Sequence, residues 1–410
     1  MRSRRRATAA MVGGSAVSGL LAYVVFAMIT RGLGADAAAP VSVLWTYWAL
    51  CGAALTFPVQ HWIIRAVGAE GEGAVRSTAP RLGLVVAVAA LVVGGLAWLA
   101  GDALFDRSDA WFPAMFSLTT VGSALVGVVR GGLGARGRFE ALAWSLVAEN
   151  GLRCVLVAAL LLAGVTSAVA HGLCLVAGQL VIVVWPSALR FSRTSGAARG
   201  HSPLVFLTGA ATAQLVSQGV LTGGPVLLAL TGGSARAVTV LFAALALYRA
   251  PYMLALGVVP QLNVRVGQLG LAGDSAALRG MLRILLAITA VAVALAGVLG
   301  AWVGPALLQL VFGPTVVASA GRSGLLAAGC TLAVANLVLM VFALAHDRST
   351  MVAQAWVLAT VTAAVVFLGL SAGSPVATTV TSFLVAETVA FVALLLVAAR
   401  SVRAPASADR

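Results

Sequence analysis

The chain contains no lysine: all 26 of its basic residues are arginine. A phosphate-binding loop of the G-x-x-x-x-G-K-[ST] kind needs its lysine to reach the nucleotide phosphates, so ATP hydrolysis by such a loop is excluded. Charge of either sign is scarce, at 9% of residues, and only 12 residues are acidic. The four histidines, His61, His171, His201 and His346, fall at or near expected helix ends and support no catalytic assignment. The four cysteines, Cys51, Cys154, Cys174 and Cys330, each lie inside an apolar run, and no two form a C-x-x-C pair. They read as small buried apolar residues, without a disulfide framework or a metal site. No catalytic residue, metal or cofactor is therefore expected, and the chain reads as a non-enzyme.

What is present is apolar. Hydrophobic residues make up 61% of the chain, and the mean hydropathy is +1.05. About twelve segments are long enough to cross a bilayer: 8–30, 40–64, 82–104, 111–129, 139–163, 172–189, 203–230, 238–262, 283–303, 322–345, 351–370 and 377–399. A hydrocarbon core takes roughly 20 residues of helix, and a backbone in lipid must satisfy its own hydrogen bonds. The expected class is an all-α integral membrane protein. The basic start, Met1 to Arg6, precedes an apolar run longer than a secretory signal core, so the first helix is expected to stay uncleaved.

A net charge of +14 raises nucleic acid as a partner, but the placement of the arginines argues for a bilayer instead. With the N-terminus inside, 20 arginines fall in inner turns, Arg130 and Arg138 among them. Four (Arg31, Arg107, Arg236, Arg322) fall in outer turns, and Arg153 and Arg249 fall within segments. Cytoplasmic loops carry this excess, so both termini are expected on the cytoplasmic side of the cell membrane. Trp45, Trp48, Trp98, Trp111, Trp185 and Trp302 lie near segment ends, as interfacial anchors do.

The second half of the chain repeats the first. Val41-Ser42-Val43-Leu44 matches Val238-Thr239-Val240-Leu241. Pro58 and Pro260 are 202 residues apart, Arg81 and Arg283 also 202, and Ala97-Trp98 and Ala301-Trp302 are 204 apart. Two six-helix lobes of like orientation are expected, 1–195 and 203–400, with a cytoplasmic linker at 196–202 and a cytoplasmic tail at 401–410. Parallel repeats of this kind imply a pseudo-twofold axis along the membrane normal and a central cavity.

Arg31-Gly32-Leu33-Gly34, Gly137-Arg138-Phe139, Arg249-Ala250-Pro251 and Phe312-Gly313-Pro314 together resemble segments of the polysaccharide and oligosaccharide flippases of the multidrug/oligosaccharidyl-lipid/polysaccharide exporter superfamily. Arg31-Gly32-Leu33-Gly34 looks like the family's R-x-L-G turn. Phe312-Gly313-Pro314 looks like the start of its F-G-x-x-Y-x-x-A segment, although the Tyr is missing. Gly137-Arg138-Phe139 with Glu149 and Arg153, and Arg249-Ala250-Pro251 with Pro260, are similar too. The likeness is colinear from Arg31 to the last segment. It implies alternating access by two rocking lobes and export of a polyprenyl-diphosphate-linked glycan, with glycan assembly enzymes as further partners.

Ionisable groups at mid-membrane depth default to functional candidates. Glu149 and Arg153 stand four residues apart, so they share a helix face and can pair. The pair is read either as an internal ion pair or as part of a site. Arg249 has no acid within a turn, and Pro251 disrupts the helix beside it. Arg249, Arg153 and Arg31 are the candidate diphosphate ligands, because a guanidinium stays charged and donates bidentately. Glu149 completes that site. Gln214 and Gln218 share a face and are candidates either for sugar hydroxyls or for interhelical hydrogen bonds. Glu149 and Glu387 are the candidate ion-coupling acids.

Two rival functions remain open on sequence. One is a cation-coupled multidrug-type antiporter of the same superfamily, kept alive by Glu149 and Glu387. The other is a polyprenyl-dependent membrane glycosyltransferase, polymerase or ligase, for which Asp102, Asp106 and Asp109, clustered in an expected outer turn, are read either as a metal or base site or as a solvated turn. The segment 264–282 is expected to lie along the inner headgroups as a short amphipathic helix.

Overall fold

The computed structural model describes residues 2–192, 210–272, 274–344, 348–370 and 373–403. The expected linker 196–202, most of the tail 401–410 and the side chain of Gln214 lie outside the described residues. The described elements are α1 (Arg2–Ala37), α2 (Ala39–Cys51), a π-helical turn (Gly52–Thr56), α3 (Phe57–Glu70), α4 (Glu72–Leu99), α5 (Gly101–Phe105), α6 (Trp111–Ala135), α7 (Phe139–Leu162) and α8 (Ala168–Ala177). Two 3-10 stretches (Gly178–Val184, Pro186–Leu189) follow, then α9 (Ala210–Thr222), α10 (Gly224–Leu230), α11 (Ala235–Tyr248), α12 (Ala250–Leu271), α13 (Ser275–Trp302), α14 (Gly304–Phe312), α15 (Ala320–Leu344), α16 (Ser349–Gly369) and α17 (Pro375–Arg403). The all-helical membrane class expected from the sequence is what is found. Nine stretches of the described chain are long and apolar enough to cross a membrane, and Ala168–Val184 and Ala235–Tyr248 are shorter apolar helices.

Two compact units are present. The first comprises Met1–Leu215 with Ala229–Thr239, the second Val216–Leu228 with Val240–Arg410. The internal repeat reappears as element lengths. α4 and α13 are each 28 residues, offset by 203 at both ends, and α6 and α15 are each 25 residues. α4 and α13 expose apolar side chains along most of their length, such as Leu91, Leu99, Ile288 and Val298, as lipid-facing helices do. α6 and α15 are the most enclosed spans of their units.

Four sequence expectations are corrected. Arg130 lies inside α6, buried, not in an inner turn, because the Gly-rich run 131–134 continues the helix to Ala135. The segment 264–282 is not a separate surface helix. α12 runs through it to Leu271 and α13 starts at Ser275, where Asp274 caps the new helix by accepting from the Ala277 amide at 2.9 Å. The sixth segment is α-helical only to Ala177 and then winds as 3-10 helix. Its β-branched run Val181-Ile182-Val183-Val184, ahead of Pro186, disfavours an α-helix. Arg249 is at the junction of α11 and α12 and not mid-helix, beside Pro251.

At the end of the first unit a set of polar side chains grips the outgoing chain. Arg136 donates to Glu72 Oε1 (3.0 Å), to the Ser187 carbonyl (2.9 Å) and to the Arg190 carbonyl (2.5 Å). Glu72 Oε2 accepts from the Ser192 amide at 2.7 Å, and Arg76 donates to the Phe191 carbonyl at 3.3 Å. Gly137, with φ of 67°, makes the reversal between α6 and α7 that a side chain would strain.

Candidate functional site

The densest polar cluster of the first unit is built on α7. Ser145, Glu149 and Arg153 are spaced four apart, so they stack on one face, and all three are buried. Arg153 Nη2 donates to Glu149 Oε1 at 2.6 Å, and Nη1 donates to Asn150 Oδ1 at 2.7 Å. Its Nε donates to the Leu175 carbonyl at 2.9 Å, where α8 is about to change to 3-10 helix. The Trp48 ring covers the guanidinium with its centroid 4.3 Å from Cζ. Gly178 packs directly on Arg153, and a Cβ there would collide with Nε. Asn150 in turn donates to Ser18 Oγ and to the Ser18 carbonyl, at 2.9 and 3.1 Å, which fastens α1 to α7.

Arg130 completes the cluster from α6. Its Nη2 donates to Glu149 Oε2 at 2.6 Å and to the Ser145 carbonyl at 3.3 Å, and its Nε donates to Ser145 Oγ at 3.2 Å. One carboxylate therefore meets two guanidinia. The sequence reading placed Arg130 in a turn and missed it as a site residue. A usable signal existed: α6 and α7 form an antiparallel hairpin about residues 136–138, so positions summing to about 275 face each other. Arg130 then falls opposite Ser145, one turn from Glu149.

A second buried polar group lies alongside. Thr56, at the end of the π turn, donates to the Ser123 carbonyl at 2.9 Å. Gln179, in the 3-10 stretch, donates to Ser123 Oγ at 3.0 Å and to the Thr119 carbonyl at 3.2 Å. Tyr47 and Thr120 share a 2.5 Å hydrogen bond, and the Tyr47 ring stacks on Phe116. Irregular backbone at membrane depth survives only where it is buried in protein or lines a cavity, and both irregular segments here meet α6.

In the second unit Glu387 of α17 has zero exposure. Asn336 of α15 donates to its Oε2 at 2.8 Å, whereas Oε1 has no hydrogen-bond partner among the described residues. Glu387, Ser217, Tyr252, Met340 and Trp356 line a cavity of about 10 Å³, about the space one water molecule needs. Gln218 reaches the same wall by donating to Tyr252 Oη at 2.8 Å. Arg249 is half-buried in this unit, with Cζ 5.9 Å from the Phe242 ring centroid. The structure thus brings Glu149 and Arg153 together in the first unit; in the second, Gln218 bonds Tyr252, which lines the cavity of Glu387. Arg31 is exposed at the end of α1, and Gln214 lies outside the described side chains. In the turn ahead of α6 Asp109 pairs with Arg107 at 2.6 Å and accepts from the Trp111 amide at 3.1 Å.

No family model and no curated protein matches the sequence. Solved structures do match the fold. One is described as the inward-facing conformation of a multidrug resistance MATE family transporter of the MOP superfamily. It is 17% identical, covers 93% of this chain and 94% of its own, and superposes with a TM-score of 0.60. Another is described as an outward-facing conformation of such a transporter, at 18% identity, 97% and 95% coverage and a TM-score of 0.55. A third, a MOP superfamily transporter from Pyrococcus furiosus, carries the description "reverse polarity of binding pocket suggests different function". It is 17% identical over 97% of this chain and 94% of its own, with a TM-score of 0.56. At such identity the likeness establishes the fold. All three are described as transporters, not enzymes.

Proposed function

We propose that this chain is a transporter of the cell membrane, with both termini cytoplasmic. On this reading it flips or exports a polyprenyl-diphosphate-linked oligosaccharide or polysaccharide precursor by alternating access, without hydrolysing ATP. The shared fold supports the transport class, since relatives in fold are described in inward- and outward-facing forms. The observation that carries the cargo is the charge of the first unit's interior: Arg130, Glu149 and Arg153 sum to +1. A buried site with surplus positive charge suits an anion and repels a cationic drug. Arg249, half-buried where α11 gives way to α12, is the corresponding cationic group of the second unit, and Gln218 is placed to meet hydroxyls. The driving force is an ion gradient, the membrane potential or consumption of the product outside. Glycan assembly enzymes are the natural suppliers of such a cargo.

A second reading, a cation-coupled multidrug-type antiporter, is favoured by one observation. Among the described residues Glu387 keeps a carboxylate oxygen without a hydrogen-bond partner, beside a cavity that fits one small ion. Mass spectrometry of polyprenyl-diphosphate glycans in a deletion strain, complemented with wild type or Arg249→Ala, separates the two. Build-up of a completed lipid-linked unit that wild type relieves and Arg249→Ala does not is the expected result. An unchanged lipid pool with altered sensitivity to cationic drugs overturns the flippase in favour of the antiporter.

A further inference from the structure

The buried cluster of the first unit leaves one commitment open. Glu149 has two oxygens, and each takes one guanidinium: Oε1 takes Arg153 and Oε2 takes Arg130. The other acceptors, Ser145 Oγ, the Ser145 and Leu175 carbonyls and Asn150 Oδ1, are neutral. They solvate the guanidinia without neutralising them. One positive charge is therefore left over inside the unit, and a buried charge without a counter-charge is costly.

The two arginines are not equivalent. Arg153 is closed off: its exposure is zero, three of its nitrogens donate, Trp48 lies on its face and Gly178 abuts its Nε. Arg130 uses Nε and Nη2, but its Nη1 makes no hydrogen bond among the described residues, and its side chain keeps 7% exposure. It sits five residues before the end of α6, about 8 Å along the axis at 1.5 Å per residue. With the N-terminus inside, that end is the cytoplasmic one.

We propose that Arg130 is the residue of the first unit that receives an oxyanion through its Nη1 edge, and that this oxyanion is the diphosphate of the lipid-linked cargo. The inference rests on the anionic-cargo reading given above and adds to it the residue that makes the contact. Glu149 and Ser145 act as positioning residues: they hold the Arg130 fork by its Nε and Nη2, while Arg153 fixes the other oxygen of Glu149. A guanidinium with one edge anchored and one presented suits a multiply charged phosphate, which accepts charge-assisted bonds from a fixed direction.

The same chemistry is offered by bulk anionic phospholipid, so the test separates the sources. The purified full chain in nanodiscs of neutral lipid is titrated with polyprenyl diphosphate and with polyprenyl monophosphate, and the titration is repeated with phosphatidylglycerol in the disc. Wild type is expected to bind the diphosphate more tightly than the monophosphate, with phosphatidylglycerol competing weakly. Arg130→Gln is expected to weaken diphosphate binding about tenfold or more, the worth of a hydrogen bond to a charged group, and to abolish the preference over monophosphate. A loss of packing alone would weaken both ligands equally. Arg130→Lys keeps the charge but loses the fork, and should fall between the two. Wild-type binding and preference in Arg130→Gln overturns the proposal. Should that variant fail to fold, an unaltered preference in Arg130→Lys does the same. Full competition by phosphatidylglycerol reassigns the site to bulk headgroups. No binding of any of these ligands by wild type refutes the anionic-cargo reading itself.

Discussion

Replacing Glu149 with Gln is the sharpest test of the first unit's electrostatics. The carboxylate is nearly isosteric with the amide, so packing is kept while the charge is removed. In the wild type the two 2.6 Å pairs each bring a guanidinium against one carboxylate. At an effective dielectric of about 20, unit charges roughly 4 Å apart attract by about 4 kcal/mol, and the two guanidinia repel each other across the carboxylate. Removing the carboxylate deletes two attractions and leaves the repulsion. Desolvation of the lost charge offsets much of that sum, and measured losses on breaking a buried pair are about 3–5 kcal/mol. Glu149→Gln is therefore expected to cost at least that much, and more than Arg130→Gln or Arg153→Met, each of which leaves a neutral one-to-one pair. The assay is unfolding of the purified protein in detergent, by thermal scan read through size-exclusion recovery. The reasoning fails if Glu149→Gln is as stable as wild type, or if either arginine variant is the less stable.

Gly178→Ala is expected to destabilise by about 1–3 kcal/mol, because the added methyl meets the Arg153 side chain. Combining it with Arg153→Met should recover part of the loss in the same unfolding assay, and strict additivity would refute the contact. Asn336→Ala removes the donor to Glu387 Oε2. A loss of about 1–3 kcal/mol is expected for the orphaned acceptor, and the double variant with Glu387→Leu should restore stability.

Much of the fold could be read in the sequence because bilayer-length apolar runs and arginine-rich turns obey strong physical constraints. Glu149 and Arg153 were legible as a pair because helix geometry alone brings positions four apart together. Arg130 was not, since its charge served equally well as a topological signal at the end of the fourth segment; only the hairpin's facing positions bring it to Glu149. The π turn at Gly52–Thr56 leaves no compositional mark beyond Pro58. The 3-10 winding after Ala177 does: four β-branched residues ahead of a proline argue against a regular α-helix. Arg249 was legible as unusual, and Pro251 pointed to the break that the structure places beside it. The partner of Glu387 was out of reach, because Asn336 comes from a helix 51 residues away with no spacing rule to connect them.

The grip of Glu72, Arg76 and Arg136 on residues 187–192 has a consequence for engineering. Besides the Arg136–Glu72 pair, four of its bonds go to main-chain atoms of the outgoing segment: three carbonyls take arginines, and one amide meets Glu72. Three side chains add to this: Ala188 is fully buried, Arg136 lies over the Phe191 ring, and the Ser192 side chain also bonds Glu72. The segment is thus held mainly by its chain path, and its spelling is free at the exposed positions Ser187, Leu189 and Arg190. A junction for a reporter, a tag or a split of the coding sequence belongs immediately after it, where those exposed positions can be rewritten without moving the seam.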